Sequence, residues 1–430
     1  MKPFTFPRGL PRALGHRDYL IFLTGDFASH TGSWLQRVAV GWLTWELTGS
    51  ATWLGVIAFM DLAPAVFVSP IAGAYADRVD RLGFIKLTIN LTLLQPVALA
   101  VLYFSGAMNI WWLFALSLYH GVANAASLPA RLAIVPSLVP RADLSSAIAL
   151  GSVVFNLSRF AGPAAAGVII ATAGLGMAFV VNALTFFVFA LTLAMLRIEA
   201  EPAREAEGHI LADVAQGFRY IASHPGIGPV MGLLIVSAIL ARPFIDLLPG
   251  FAAGVFGRGA EALAWMVSVT GLGAGCGALW LAMRDSIKGL TVIAVSFVLV
   301  AGLGLLVFTA TDIFWVALPA LFVTGSGIAV SAIGVLTLVQ SAVAPNMRGR
   351  VVGLYGIVFR GGPAFGALAM GWIASELGLR PPVAGGAVLC IVAWAWAVRR
   401  LEFTALSLEE MPDGDPGDAA GGADKPVNDP

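Results

Sequence analysis

Charge is scarce in this chain. Asp, Glu, Lys and Arg make up only 12% of its 430 residues, about half of what a soluble domain carries. The charges also cancel, 25 basic against 25 acidic, for a formal net charge of zero. A neutral chain lacks the basic face that a nucleic acid partner requires. Only two cysteines occur, Cys276 and Cys390, both in apolar runs. That excludes a disulfide framework and any CxxC metal or redox motif. No GxxxxGK[ST] loop is present, so no nucleotide is expected and ATP-driven transport is excluded. No His-x-x-x-His pair or acidic cluster points to a metal. Nothing points to a catalytic site or a cofactor, so the chain is not expected to be an enzyme.

What remains is hydrocarbon. Apolar residues make up 58% of the chain, and the mean hydropathy is +0.86. A membrane-spanning helix needs about 20 mostly apolar residues. Stretches of that kind fall at 19–47, 52–74, 82–104, 110–135, 144–172 and 176–196, then at 228–256, 260–283, 289–310, 313–340, 350–376 and 382–401. Period-two alternation is absent and the runs exceed barrel-strand length, so helices are expected. The first run is too long for a signal-peptide core and reads as an uncleaved anchor. The fold class is therefore an all-α membrane protein of twelve transmembrane helices.

Basic residues mark alternate loops. Lys2, Arg8, Arg12 and Arg17 precede the first span, and Arg78, Arg81 and Lys86 follow the second. The same side collects Arg131, Arg141, Arg197, Arg204, Arg219, Arg284, Lys288, Arg348, Arg350, Arg399, Arg400 and Lys425, whereas the other side holds only Arg258 and Arg380. The positive-inside rule puts the rich side, and both termini, in the cytoplasm of a multi-pass cell-membrane protein. The organisation expected is a cytoplasmic segment 1–18, a six-helix bundle 19–197, a linker 198–227, a second bundle 228–402 and a disordered cytoplasmic tail 403–430. In the linker Ile210, Leu211, Val214, Phe218 and Ile221 recur at helical spacing, which predicts an amphipathic helix on the membrane surface.

The halves look duplicated. "LAIVPSLVP" (132–140) matches "LTLVQSAVA" (336–344), and each leads into a Gly-Pro within the next span, Gly162-Pro163 and Gly362-Pro363. Two pseudo-symmetric bundles around a central pathway form a transporter architecture, with substrate held near the midplane.

"GAYADRVDRLGFIK" between spans two and three resembles the loop signature of the major facilitator superfamily. Gly73, Asp77, Arg78 and Arg81 match it, and Asp80 stands where a second glycine is usual. "PARLAIVPSLVPRADLSSAIAL" and "RFAGPAAAG" are similar to the branch holding the enterobactin exporter, macrolide efflux proteins and lysophospholipid transporters. The resemblance covers about residues 15–402 and implies the major facilitator fold. It implies a cytoplasmic latch in which Asp77 accepts hydrogen bonds from Arg78, Arg81, Arg131 or the start of span eleven near Arg348. The plainer alternative makes these arginines topology markers. "RFAGPAAAG" also resembles the helix-five motif of drug–proton antiporters, through Gly162, Pro163 and Gly167, although Ala149, Ser158 and Ala166 replace glycines. A generic helix-packing seam is the alternative. The helix-four arginine of those antiporters is absent; Ser117 stands near its place.

Charges within spans carry the rest, since each costs a few kcal/mol in the bilayer. They are Asp26, Arg37, Asp61, Arg159, Arg242, Asp246 and Arg360. Asp26, His30, Ser33 and Arg37 form one helical stripe, and Asp26 with His30 is the expected proton site. Arg242 and Asp246, four apart, are expected to pair on one face, either lining the pathway or holding helices together. Trp34, Phe155 and Phe359 are candidate aromatic contacts. The expected function is proton-coupled export of an amphipathic small molecule, a drug, a siderophore or similar, by alternating access. The alternatives are a lysophospholipid flippase of the same fold and a non-transporting membrane sensor.

Overall fold

The computed structural model describes residues 10–76, 78–196, 210–284 and 286–409. Residues 1–9, Asp77, 197–209, 285 and 410–430 lie outside the described residues, and with them the expectations for Lys2, Arg8, Arg197, Arg204 and Lys425.

Among the described residues the structure is helical throughout, as a chain in hydrocarbon requires, because each backbone N–H and C=O must find a partner within its own segment. The long helices of the first half are α1 (Arg17–Thr48), α2 (Ala51–Ala76), α3 (Arg81–Phe104), α4 (Ile110–Ile134), α5 (Leu144–Ala173) and α6 (Leu175–Met195). Those of the second half are α7 (Ile227–Val255), α8 (Ala260–Ala282), α9 (Leu290–Ala310), α10 (Phe314–Ala342), α11 (Arg348–Leu377) and α12 (Arg380–Val398). Ten of these are long and apolar enough to cross a membrane; α1 and α4 have the length but fall short in apolarity. Both carry buried polar residues, among them Asp26, Ser29 and Gln36 on α1 and Ser117 and Arg131 on α4.

The helix ends follow from local chemistry. Asp80 caps α3, its carboxylate accepting from the N–H of Leu82 at 3.2 Å and of Gly83 at 2.8 Å. Asn109 caps α4 through the N–H groups of Trp111 and Trp112. Gly49, at φ 59°, closes α1 with its N–H on the Trp45 carbonyl at 2.7 Å. Two helices are interrupted by proline. Pro64 divides α2 after Leu62, and α7 opens into a turn at Ala241–Arg242–Pro243 before resuming at Phe244.

The amphipathic helix expected in the linker is present as Ile210–Ser223. The tail expectation needs correction at its start. Leu401–Glu409 is a helix that buries Thr404 and Leu408, and it is anchored at its end, where the Glu409 carboxylate accepts from Gly289 N at 2.5 Å and Thr291 N at 2.8 Å on the N-terminal turn of α9.

The Gly-Pro pairs are equivalent in space as well as in sequence. Gly162 lies against the α1 backbone at Thr31, and Gly362 lies against α7 at Ala238. The halves meet along two matching seams. A side chain at Gly271 of α8 would lie 2.5 Å from the Arg159 carbonyl of α5, and one at Gly55 of α2 would lie 2.4 Å from the Ala367 carbonyl of α11. Only glycine lets these backbones approach so closely. Gly371 packs on Ala51 in the second seam, and Gly41 of α1 faces Pro249 of α7. These contacts close the end of the molecule that carries the α1–α2, α7–α8 and α11–α12 connections.

Candidate functional site

The polar stripe on α1 divides between two environments. Near its start, Asp26 Oδ1 accepts from Arg131 Nη1 of α4 at 2.7 Å. The same nitrogen donates to Ser29 Oγ at 3.0 Å. His30 Nε2 is 3.5 Å from Asp26 Oδ2, and its ring meets the Phe155 ring edge-on at 5.2 Å. The Arg131 guanidinium also lies over Phe189, 4.6 Å from the ring centre. This cluster is internal to the first half. Arg131 therefore belongs with Asp26 rather than with the α2–α3 loop. Distance along the sequence concealed the pair, and helix packing makes it.

Arg37, three turns further along α1, points elsewhere. Its Nη2 donates to Asp246 Oδ1 of α7 at 2.6 Å, across the boundary between the halves. The expected Arg242–Asp246 pair does not form, because the turn at Pro243 destroys the four-residue helical register. Arg242 instead donates to the Phe359 carbonyl and lies 3.9 Å from the centre of the Phe359 ring. Phe359 stacks on Tyr355 at 5.6 Å and 13°. Arg360 lies in the field of Tyr355, whose hydroxyl donates to the Ala332 carbonyl at 2.9 Å.

Trp34 packs against two arginines of the first half. The guanidinium carbons of Arg37 and of Arg159 each lie 5.5 Å from its ring centre. Arg159 and Arg242 lie near enough to repel each other. Asp246 is only 8% exposed, and its Oδ2 makes no hydrogen bond among the described residues. Arg159 Nε is likewise buried and without an acceptor.

One residue of this site escaped the sequence reading. His120 of α4 places Nδ1 2.6 Å from Asp61 Oδ1, while its Nε2 is buried without a partner. Asp61 in turn lies in the field of Arg37 and of Asp246. The available signal was a lone histidine in an otherwise apolar span. Three buried amides, Gln36, Gln95 and Asn182, form a further chain at 2.7 Å per link across α1, α3 and α6. It satisfies their polar groups internally.

The loop signature is placed only in part. Gly73 faces Pro129 of α4. Asp80 is the α3 cap, which explains one of its two acids by helix chemistry. Asp77 lies outside the described residues, and the Arg78 backbone N–H closes a turn on the Tyr75 carbonyl at 2.9 Å. Of the helix-five residues, Gly162 and Pro163 are buried, and Gly167 faces Ala264 of α8 in a cross-half seam.

The chain is a multi-pass membrane protein of the major facilitator superfamily. Within that superfamily it belongs to the transmembrane secretion effector family, whose model matches residues 14–413. A stretch of 168 residues is 30% identical to the staphyloferrin A transporter of Staphylococcus aureus, covering 39% of this chain and 42% of that protein. The enterobactin exporter of Citrobacter koseri is 27% identical over 364 residues, 80% of each chain. Among solved structures, a bacterial homologue of the human lysosomal transporter Spinster superposes with TM-score 0.71 at 14% identity, over 95% of this chain and 100% of that one. A POT family transporter in complex with 5-aminolevulinic acid gives 0.73 at 12%, over 90% and 96%. At these identities the structures establish the fold alone.

Proposed function

We propose that this protein exports an amphipathic small molecule of the siderophore or drug type by proton-coupled alternating access. The observation that carries this reading is the Arg37–Asp246 ion pair, the polar contact that ties α1 of one half to α7 of the other. The exporter among the relatives supports the direction. The positive-inside rule supports an orientation in which the closed end faces outward and both termini face the cytoplasm. In this reading α1 and α4 also cross the membrane, their polar residues turned into the protein, which brings the spans to twelve.

Coupling follows from electrostatics. Arg37 is attracted by its hydrogen-bonded partner Asp246 and, from further away, by Asp61. A proton delivered to this group, on the free Oδ2 of Asp246 or through the Asp61–His120 pair, weakens the attraction. The halves then part at that end. The Asp26 carboxylate is hydrogen-bonded by Arg131 inside the first half, so the group that spans the boundary is the one around Asp246.

The test is efflux from proteoliposomes with and without an imposed pH gradient, over a panel of siderophores and amphipathic drugs. Gradient-dependent accumulation of at least one compound is expected. Transport indifferent to the gradient for every compound moved would remove the proton from the mechanism.

A further inference from the structure

We infer that the exported molecule is an organic anion, its acidic group bound between Arg159 and Arg242 and its ring or apolar body against Trp34 and Phe359. This deepens the proposed transport reading and rests on it. The charge balance of the cross-half cluster is the starting point. Three guanidiniums converge there, those of Arg37, Arg159 and Arg242, each within the field of another. Two carboxylates stand against them: Asp246 is hydrogen-bonded to Arg37 and reaches Arg242 only through its field, and Asp61 reaches Arg37 through its field while its own bond goes to His120. Among the described residues no carboxylate pairs with Arg159 or Arg242. Arg242 spends one N–H on a neutral carbonyl, and the Nε of Arg159 is buried without an acceptor.

Buried uncompensated charge is costly in a membrane protein and marks a ligand or ion path. A guanidinium presents a planar fork that matches a carboxylate or similar oxyanion, and in a dry site that match is strong. The two arginines stand on opposite halves, Arg159 on α5 and Arg242 at the break in α7. An anion bridging them would contact both halves at once, which alternating access requires of a substrate.

The surroundings select the rest of the molecule. Trp34 lies beside Arg159, and Phe359 beside Arg242. Flat faces next to cationic forks accommodate a planar acid, stacked on the ring while its acidic group meets the guanidinium. A cationic amphipath of similar shape meets repulsion at the same place.

The experiment uses the full chain, purified in detergent, and measures binding of 2-naphthoate, its neutral isostere 2-naphthamide and acetate by equilibrium dialysis. The expected order has naphthoate ahead of both others by about tenfold or more, the worth of one charge-assisted hydrogen bond. Arg159→Gln and Arg242→Gln each lower naphthoate affinity by a comparable factor and leave naphthamide unaffected. Arg159→Lys and Arg242→Lys keep the charge but lose the fork, and fall between. They also carry the test should a glutamine variant not fold. Equal binding of naphthoate and naphthamide, or none of either, overturns the inference, as does wild-type affinity in the arginine variants. Proteoliposome efflux separates this from the wider reading. Charge-selective binding without gradient-driven transport leaves the anion site standing and sinks the exporter. Transport of neutral compounds alone does the reverse.

Discussion

The two halves are built on one plan and stabilised differently. In the first half, α1 runs unbroken from Arg17 to Thr48 and its interior is crosslinked by polar pairs: Asp26 with Arg131, Asp61 with His120, and Gln36 with Gln95 and Asn182. In the second half the counterpart α7 is broken at Pro243, and helices α8 to α10 close on one another through small residues. Gly273 packs on the Phe322 carbonyl and Gly325 on the Thr270 carbonyl. Polar pairs are directional, whereas small-residue seams work by close approach of backbones. The first half is thus held inside by side-chain hydrogen bonds. The second is held by close packing, and the break in α7 presents Arg242 and Asp246.

The largest expected effect comes from breaking the first half's internal pair. Asp26→Ala leaves Arg131 buried without its carboxylate, a loss of about 3–5 kcal/mol. Its yield and thermal stability in detergent should fall sharply, while an alanine at Arg360 should change both little. Equal stability of the two variants would remove the contrast between the halves.

Next in size is the His120 pair. His120→Asn places an amide N–H near the Nδ1 position, so it keeps a donor to Asp61 and has no titratable group. Gradient-driven accumulation should drop by about tenfold or more, the usual worth of a positioned acid–base group, with exchange of labelled for unlabelled compound retained. Loss of both activities in parallel would mark His120 as structural.

The seams offer a third test. A Cβ at Gly55 meets the Ala367 carbonyl, a backbone atom that cannot turn aside. Gly55→Ala should hold the closed end apart and raise maleimide labelling of Ala374→Cys several-fold in a background lacking Cys276 and Cys390. Gly353→Ala, where a side chain meets open space, should not. Labelling unchanged by Gly55→Ala would show that this seam does not set the closure.

The helical membrane fold was legible because hydrophobic run length is written along the chain. Even the duplication could be read from Gly162-Pro163 and Gly362-Pro363. The site was legible as a set of residue types and illegible as a set of pairs. Asp26 and Arg131 lie on different helices, so spacing rules, which see one helix at a time, could not pair them, and the family resemblance offered Arg131 to the loop motif instead. The same rules paired Arg242 with Asp246 through a helix that Pro243 interrupts; the proline was visible, and its consequence for the register was the missed inference. His120 was visible too, but nothing local distinguishes a paired histidine from a packed one.

Smaller effects are expected at the loops. Asp80→Ala removes the α3 cap and should cost about 1 kcal/mol, with Asp80→Ser retaining most of it. His224, between the linker helix and α7, accepts from Gly226 N and Ile227 N at 3.2 Å each, and its pKa is lowered from 6.5 because burial disfavours the charged ring. The unfolded chain then binds the proton more readily. This contribution is fully present above pH 6.5 and is lost as pH falls through the lowered native value. Thermal scans at pH 7.5 and 5 should show a slightly larger decline for the wild type than for His224→Gln; an identical decline would exclude His224 as a source of pH sensitivity.

The central claim is that Arg37 and Asp246 join the halves, and charge exchange tests it most directly. Efflux is measured for Arg37→Asp, for Asp246→Arg and for the two together. Each single change places like charges face to face and should abolish transport. The double change restores opposite charges across the same boundary and should recover a measurable part of it. Wild-type transport in either single variant, or a double variant no better than the worse single, would contradict the account.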